Sequence, residues 1–333
     1  TPLYSSAASD VYKRQIFNTA YIPPLANQSL DEYYAYADRA AFYNATGRTI
    51  DALVGLVFAK APISNLTTAV QRLESDITLA GDNLREFVNQ VVYEEITTTR
   101  VGILVDYPNA EGLELTRGQA ELLNLRPFAR MYVAESITNW RTDSVGGAEI
   151  TTMVTLRESV ETSKDEFTSE TETRYRVLDL DPDGFYRVRI FDGDTVVSET
   201  YPLMAGARMR YIPFVVIGGM KVRKPLLIDL VDTNIAHLRN SADYEHGLRF
   251  TGLPTPYATG VSGDNSTLSI GAMTAWLLPD PASKIGYLEF SGQGLTELRT
   301  AMNEKEKRMA TQGARMLQAV SYTHLTLPTN REV

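Results

Sequence analysis

The chain has no cysteine among its 333 residues. That excludes disulfide frameworks, thiolate metal sites and cysteine nucleophiles within this stretch, and leaves the redox compartment open. Histidine is scarce at 3 residues. His237 and His246 are nine positions apart, a poor spacing for two ligands on one helix face, and neither follows His-Glu-x-x-His; both read as ordinary solvent-facing or interface histidines. Long apolar runs are missing too. Ala52 to Ala59 is short and stops at Lys60, far from the ~18 residues of a membrane span. Phosphate loops of the Gly-x-x-x-x-Gly-Lys type, Gly-x-Gly-x-x-Gly turns and Gly-x-Ser-x-Gly elbows are absent, which argues against an ATPase or a Rossmann enzyme. Excess positive charge is lacking as well. The formal net charge is −9, a balance that disfavours tight sequence-independent phosphate binding and suits a surface past which DNA moves without sticking.

What is present is an ordinary folded composition, 44% hydrophobic, and a length that suits one large or two modest domains of roughly 100–200 residues each. The two ends stand apart. One permitted codon choice for Thr1 to Gln15 has a reverse complement that, entered two bases in, translates to the last fourteen residues, Val320 to Val333. The expectation is therefore that residues 1–15 and 320–333 are the two strands of one library adapter, and that the authentic piece runs from about Ile16 to Ala319 with both native termini missing. Without its ends the piece is slightly more acidic.

Periodicity divides that piece. Ser29-Leu-Asp-Glu32 has the capping-box pattern, and Leu30, Tyr33, Ala37, Ala40 and Ala41 follow at helical spacing, so a helix starts there and Gly47 breaks or bends it. Further helices are expected over 48–60, over 66–77 with an end at Gly81, and from Leu84 to about Glu95. From Val101 the period changes. Val101–Val105, Thr151–Ser159, Arg174–Leu180, Phe185–Phe191, Thr195–Tyr201 and Ile212–Ile217 are rich in β-branched and aromatic residues, with turn signals at Asp181-Pro-Asp-Gly184 and Asp192-Gly193. Helices are expected again over about 226–248 and from about Thr296, the second carrying Leu298, Met302, Lys305, Met309, Gly313 and Met316 along one side, with short strands at 274–278 and 286–290 before it. The fold class is α+β. A helical N-terminal region spans 16–100, a β-rich region 101–223, and a helical region with short strands 224–319.

Two constellations invite chemistry. Asp179-x-Asp181-x-Asp183-Gly184 matches the start of an EF-hand loop, but the twelfth position is Ile190 instead of a bidentate Glu and Pro182 sits inside the loop; a hairpin turn is the expectation, and no metal or other cofactor is assigned. The basic residues Arg208, Arg210, Lys221, Arg223 and Lys224 bracket the apolar stretch Tyr211 to Ile217. Charges at a strand edge commonly just prevent aggregation; the sharper reading is contact with DNA or a neighbouring subunit.

Several segments, in this order, resemble a portal-like family of tailed bacteriophages long catalogued as a domain of unknown function: Arg39 to Pro62 (RAAFYNATGRTIDALVGLVFAKAP), Gly102 to Pro108 (GILVDYP), Arg126 to Arg141 (RPFARMYVAESITNWR) and Tyr211 to Val215 (YIPFV). The most specific are Lys224 to Gly260 (KPLLIDLVDTNIAHLRNSADYEHGLRFTGLPTPYATG) and the Trp276 to Leu317 run containing LLPDPASKIGYLEFSGQGL. The resemblance implies a non-catalytic, usually dodecameric ring at one capsid vertex of the virion, assembled in the bacterial host cytoplasm. Double-stranded DNA would pass through it during packaging and ejection; its partners would be the major capsid protein, the packaging terminase and the head–tail connector, with no membrane. It also implies a wing-like helical and β part around helices that pack about a channel. Two rivals stand beside it: another virion structural protein of capsid or neck, and a hydrolase using acids such as Asp106 or Asp243, for which paired carboxylates must line one pocket.

Overall fold

The computed structural model describes residues 19–108, 117–163, 165, 168–204, 206–252, 255–259, 282, 284–288 and 292–317. The expected adapter segments 1–15 and 320–333 and the strand expected at 274–278 lie outside them. The chain divides into two compact units, Thr1–Thr49 with Asp229–Val333, and Ile50–Ile228.

The inserted unit, Ile50–Ile228, is a layered β structure. Its helix α4 (Leu84–Thr98) starts on a complete capping box, with Asn83 accepting the Glu86 amide and Glu86 returning to the Asn83 amide. It leads into β1 (Val101–Asp106), the centre of a three-stranded antiparallel sheet with β2 (Phe128–Val133) and β10 (Phe214–Ile217) in the order β10-β1-β2. The second sheet is a five-stranded antiparallel meander, β3 (Ile137–Val145), β4 (Ala148–Ser163), β5 (Ser169–Leu180), β6 (Tyr186–Asp192) and β7 (Thr195–Thr200). Alternation along β1 splits its side chains. Leu104, with Tyr132 and Phe214 from its neighbours, joins Ile137, Val154, Leu156, Leu178, Tyr186 and Val188 in the core between the two sheets. Val101 and Ile103 turn the other way and meet Phe87 and Val91 of α4. Gly102 is needed at the crossover, since a β-carbon there would stand 2.3 Å from the Phe214 ring.

The strands of the meander are staggered. β3 and β4 turn at Gly146-Gly147, both with positive φ (61° and 87°), the backbone of a two-residue hairpin turn. At the opposite end β4 and β5 outrun their neighbours: β3 pairs with β4 only up to Leu156, and β6 with β5 only from Tyr175, while the β4–β5 ladder continues to Ser163↔Ser169. A two-stranded ribbon therefore projects from the sheet.

In the other unit, α1 (Leu30–Asp38) begins at Ser29 with both halves of the capping box present. Two helices of 25 residues follow late in the chain, α6 (Ile228–Gly252) and α7 (Gln293–Leu317), each roughly 37 Å long. They pack antiparallel: His237 meets Glu306, and Leu295 closes on Gly247, where a β-carbon would lie 2.5 Å from it. The side of α7 that carries Met309, buried at 1% exposure, also carries the half-buried Leu298, Met302 and Lys305. Tyr33, Tyr36 and Ala37 of α1 pack with Leu238 and Ala242 of α6 and with Ile22. A short antiparallel pair, β11 (Thr255–Thr259) and β12 (Lys284–Leu288), lies between the long helices in sequence.

Three sequence expectations need correction. Gly47 does not end α1, which stops at Asp38; it sits inside α2 (Ala45–Val57), where Asn44 Oδ1 accepts its amide and occupies the space a side chain would take. The helix expected over 66–77 shrinks to α3 (Thr68–Gln71), while a short helix, α5 (Arg117–Leu122), precedes β2. Ile77 instead reaches the cluster under α4 from a turn closed by Ile77 N to Asp82 O and by the Gly81 amide on Asp76, with Leu79 left-handed at φ 62°. The strands β2, β3 and β11 were not expected at all.

Candidate functional site

The five basic residues singled out by sequence all fall in the inserted unit, in two groups. Arg208 lies on β9 (Ala207–Arg208), a two-residue strand paired with β8 (Leu203–Met204). Its guanidinium stands 4.5 Å from the Tyr201 ring centroid and 5.7 Å from that of Phe185, and the Arg210 guanidinium stands 4.5 Å over the same Phe185 ring. Cation–π contacts of this kind hold the planar groups in place while leaving their edges in water. Phe185 is delivered by the Asp181-to-Gly184 turn, in which Asp181 Oδ1 accepts the amides of Asp183 and Phe185 and Gly184 takes φ 79°. Two of the three carboxylates of the apparent calcium motif are thus engaged elsewhere: Asp181 closes this turn, and Asp179 binds Arg187 Nη2 at 2.7 Å and Arg189 Nη2 at 2.8 Å on β6.

The second group follows β10, an edge strand. Its exit is fixed by Gly218 at φ 84°, where any β-carbon would fall 2.0 Å from the Thr99 carbonyl oxygen. Gly219 is also left-handed at φ 89°, and beyond it Lys221, Val222, Arg223 and Lys224 are all exposed, Val222 at 73%. A pinned strand end thus leads into a short, accessible, basic stretch.

The projecting ribbon carries the opposite charge. At its root Glu158 Oε1 accepts from Tyr132 Oη at 2.6 Å, Arg130 Nη1 at 3.0 Å and Arg176 Nε at 3.0 Å, so this carboxylate is spent inside the molecule. Burial first, and then the Glu158 charge, push the Tyr132 phenol well above its ordinary range. Outward from there Ser159, Glu161, Ser163, Glu170, Thr171, Glu172 and Thr173 are exposed.

The other unit holds a feature the sequence did not flag. Along α6 the polar residues Asn234, His237 and Ser241 recur at helical spacing and are all buried, at 1–3% exposure. Each has a fixed task. Asn234 Oδ1 accepts from the Thr46 amide (3.2 Å) and hydroxyl (3.0 Å) while its amide nitrogen donates to the Tyr43 carbonyl (2.7 Å). Ser241 Oγ accepts the Ala41 amide at 2.8 Å. His237 Nε2 lies 3.2 Å from Glu306 Oε1, with the Tyr43 ring 5.5 Å away. Just outside the seam the Tyr36 hydroxyl donates to Asp243 at 2.7 Å. His237 is therefore a buried strap, not a solvent-facing residue. His246 is half-buried against Tyr36 and Phe250. Burial, and next Arg39, hold its imidazole below the ordinary histidine pKa.

Paired acids in one pocket would line a surface cleft, and three clefts are prominent. One of about 440 Å³ includes Glu32, Arg39, His246 and Arg249; one of about 340 Å³ includes Glu74; one of about 430 Å³ includes Asp106 and Arg176. Each has a single lining carboxylate. Asp106 and Asp243, the acids considered for hydrolysis, sit in different units. Asp106 binds Arg176 at 3.4 Å and Asp243 receives the Tyr36 hydroxyl. Among the described residues no group of three or more metal-ligating side chains gathers, and no helix is long and apolar enough to cross a membrane.

Residues 225–330 match a sequence family described as a domain of unknown function (DUF4055). No curated protein matches the chain. The family match takes in both 25-residue helices and the β11–β12 pair.

Proposed function

We propose that this chain is the subunit of a tailed-bacteriophage portal, a ring at one capsid vertex through which double-stranded DNA is packaged and ejected and to which the tail attaches. The observation that carries the reading is a coincidence of position. The segments most similar to portal-like proteins, 224–260 and 276–317, fall, Lys224 apart, within the stretch matched by the family of unknown function, and that stretch contains the antiparallel pair α6–α7. Long paired helices suit a channel wall, and a two-sheet unit such as Ile50–Ile228 suits the wing-like part that the resemblance implies. The acidic balance, net −9, suits DNA that slides instead of adhering. The reading assigns the chain no catalysis and no cofactor; its partners are further copies of itself, the major capsid protein, the terminase, the head–tail connector and DNA in transit.

Native mass spectrometry with electron microscopy of the purified chain tests it. Closed rings of about twelve copies are expected. A monomer, or a sheet-like or icosahedral assembly, overturns the portal reading, the latter in favour of a capsid role.

A further inference from the structure

We infer that the β4–β5 ribbon of one copy docks on the basic segment Lys221–Arg223 of a neighbouring copy, making a head-to-tail contact between subunits. The inference rests on the ring reading and names the surface that would join the ring.

Four observations lead there. First, among the described residues the ribbon has little apolar packing of its own. From Ser159↔Thr173 to Ser163↔Ser169 it extends about 17 Å beyond the meander, at ~3.3 Å per residue. Val160 is its sole described aliphatic side chain, and two-stranded ribbons without a packed face are marginal in water. Second, among the described residues its outer backbone edges pair with no strand, because neither β3 nor β6 reaches this far. A ribbon built this way gains most from a second surface. Third, its charge selects that surface. Glu161, Glu170 and Glu172 are exposed, and Glu161 has no ionic partner among the described residues. Two ribbons laid on one another would set acid against acid, so a symmetric contact between like patches is disfavoured. Fourth, the same unit offers a complement. Lys221 and Arg223 are exposed and make no ion pair among the described residues, and Val222 and Leu226, at 73% and 58% exposure, add apolar surface that a docked ribbon would cover. Gly218 fixes where that segment leaves the sheet, so it is presented in a defined place.

Acid on one patch and base on another give a heterologous contact, which closes into a ring when the rotation between copies permits and otherwise runs on as a filament. The acidic residues alone would merely keep the ribbon soluble. A structured ribbon with little apolar packing and an exposed basic segment on one unit are what point to pairing between copies.

The absence of cysteine makes the test direct. A Glu161→Cys chain and an Arg223→Cys chain, mixed and oxidised at low concentration, are expected to give a disulfide-linked pair at least tenfold above either chain alone. They should also exceed an Asp143→Cys/Arg223→Cys mixture, because Asp143 is on β3 near the opposite hairpin turn. In parallel, Glu161→Arg with Glu172→Arg should abolish oligomers, as should Lys221→Glu with Arg223→Glu, and the two reversed chains mixed should restore them. Rings that persist in every variant without the cross-link overturn the docking contact and leave the ring reading standing. An unmodified chain that is monomeric, together with cysteine chains that give no cross-link, overturns both. Loss of binding to duplex DNA in the Lys221→Glu/Arg223→Glu chain, with rings intact, assigns the basic segment to DNA and overturns the docking contact.

Discussion

The two units bury polar groups in opposite ways. In Ile50–Ile228 the centre between the sheets is apolar, with Leu104, Val154, Leu156 and Leu178 at 0% exposure, and the carboxylates Glu158 and Asp179 stand at its margins in arginine clusters. In the unit built from α1, α6 and α7 polar groups enter the interior itself: Thr46, Asn234, His237 and Ser241 are as buried as the leucines beside them. An apolar core supplies stability with little regard to exact placement, whereas a buried amide or imidazole is tolerated only where its partner sits. The first unit is held by area, the second by register.

That contrast is open to breakage at several points, and the largest effect belongs to the sheet core. Leu178→Ala should cost about 2–5 kcal/mol in urea unfolding, since it removes buried methyl groups from a site enclosed by both sheets; a loss under 1 kcal/mol would mean that the core is loosely packed. Asn234→Ala should cost about 1–3 kcal/mol, because it takes the acceptor from the buried Thr46 amide and hydroxyl and one of two donors from the Tyr43 carbonyl. Asn234→Asp keeps the acceptor but not the donor and should recover only part of the loss. If Ala is harmless there, the polar seam does not set register.

Smaller effects sharpen the picture. Ser29→Ala deletes one half of the α1 cap and should lower stability by about 1 kcal/mol. Arg100 tests the apolar unit from the other side: it is 7% exposed, its guanidinium lies 3.9 Å over the Trp140 ring, and its Nε and Nη2 atoms have no hydrogen-bond partner among the described residues. Arg100→Met should therefore change stability by less than about 1 kcal/mol, in either direction. A large loss would show that this unit, too, depends on a placed polar group.

The smallest expected effect is a pH slope. His246 has a folded-state pKa below its ordinary 6.5, through burial and then through Arg39; Asp243 and Glu32 pull the other way and Arg249 acts with Arg39. The unfolded chain thus takes up the proton first. The stability contributed at this position is complete above about pH 6.5 and declines as the pH falls toward the folded-state value. His246→Asn should lose less stability than the unmodified chain between about pH 7 and pH 5, as read from urea midpoints; equal losses would assign the slope to other groups.

How much of this was legible depended on whether the signal was local. The Ser29 cap, the α4 start, the Asp181–Gly184 turn and the long helices could be read because each rests on residues within one or two turns of chain. The α+β class followed from the change of period at Val101. β2 and β3 were missed because Phe128–Val133 and Ile137–Val145 mix charged, aromatic and small residues, and their strand state is decided by pairing with β1 and β4. Ile77 was misplaced on a helix because its spacing fits one, while its packing under α4 is a tertiary choice. Of the candidate site, the basic residues were visible as composition; that Arg208 and Arg210 share one phenylalanine and that Gly218 pins the rest were not. The polar seam had a faint signal in Asn234, His237 and Ser241 at helical spacing, which only the buried partners make meaningful.

The insertion of one unit inside the other has a consequence for synthesis. Every strand of the sandwich is available once Ile217 has left the ribosome, and its ladders join mostly near neighbours in the chain. The helical unit must wait: the Tyr36 hydroxyl meets Asp243 across 207 positions, and Ala41 meets Ser241 across 200. At translation speeds of about 5–20 residues per second, α1 and its tyrosines stay without their final cover for roughly 10–40 s. During that interval the nascent N-terminal segment is the part most exposed to chaperones and to misassociation with other nascent copies.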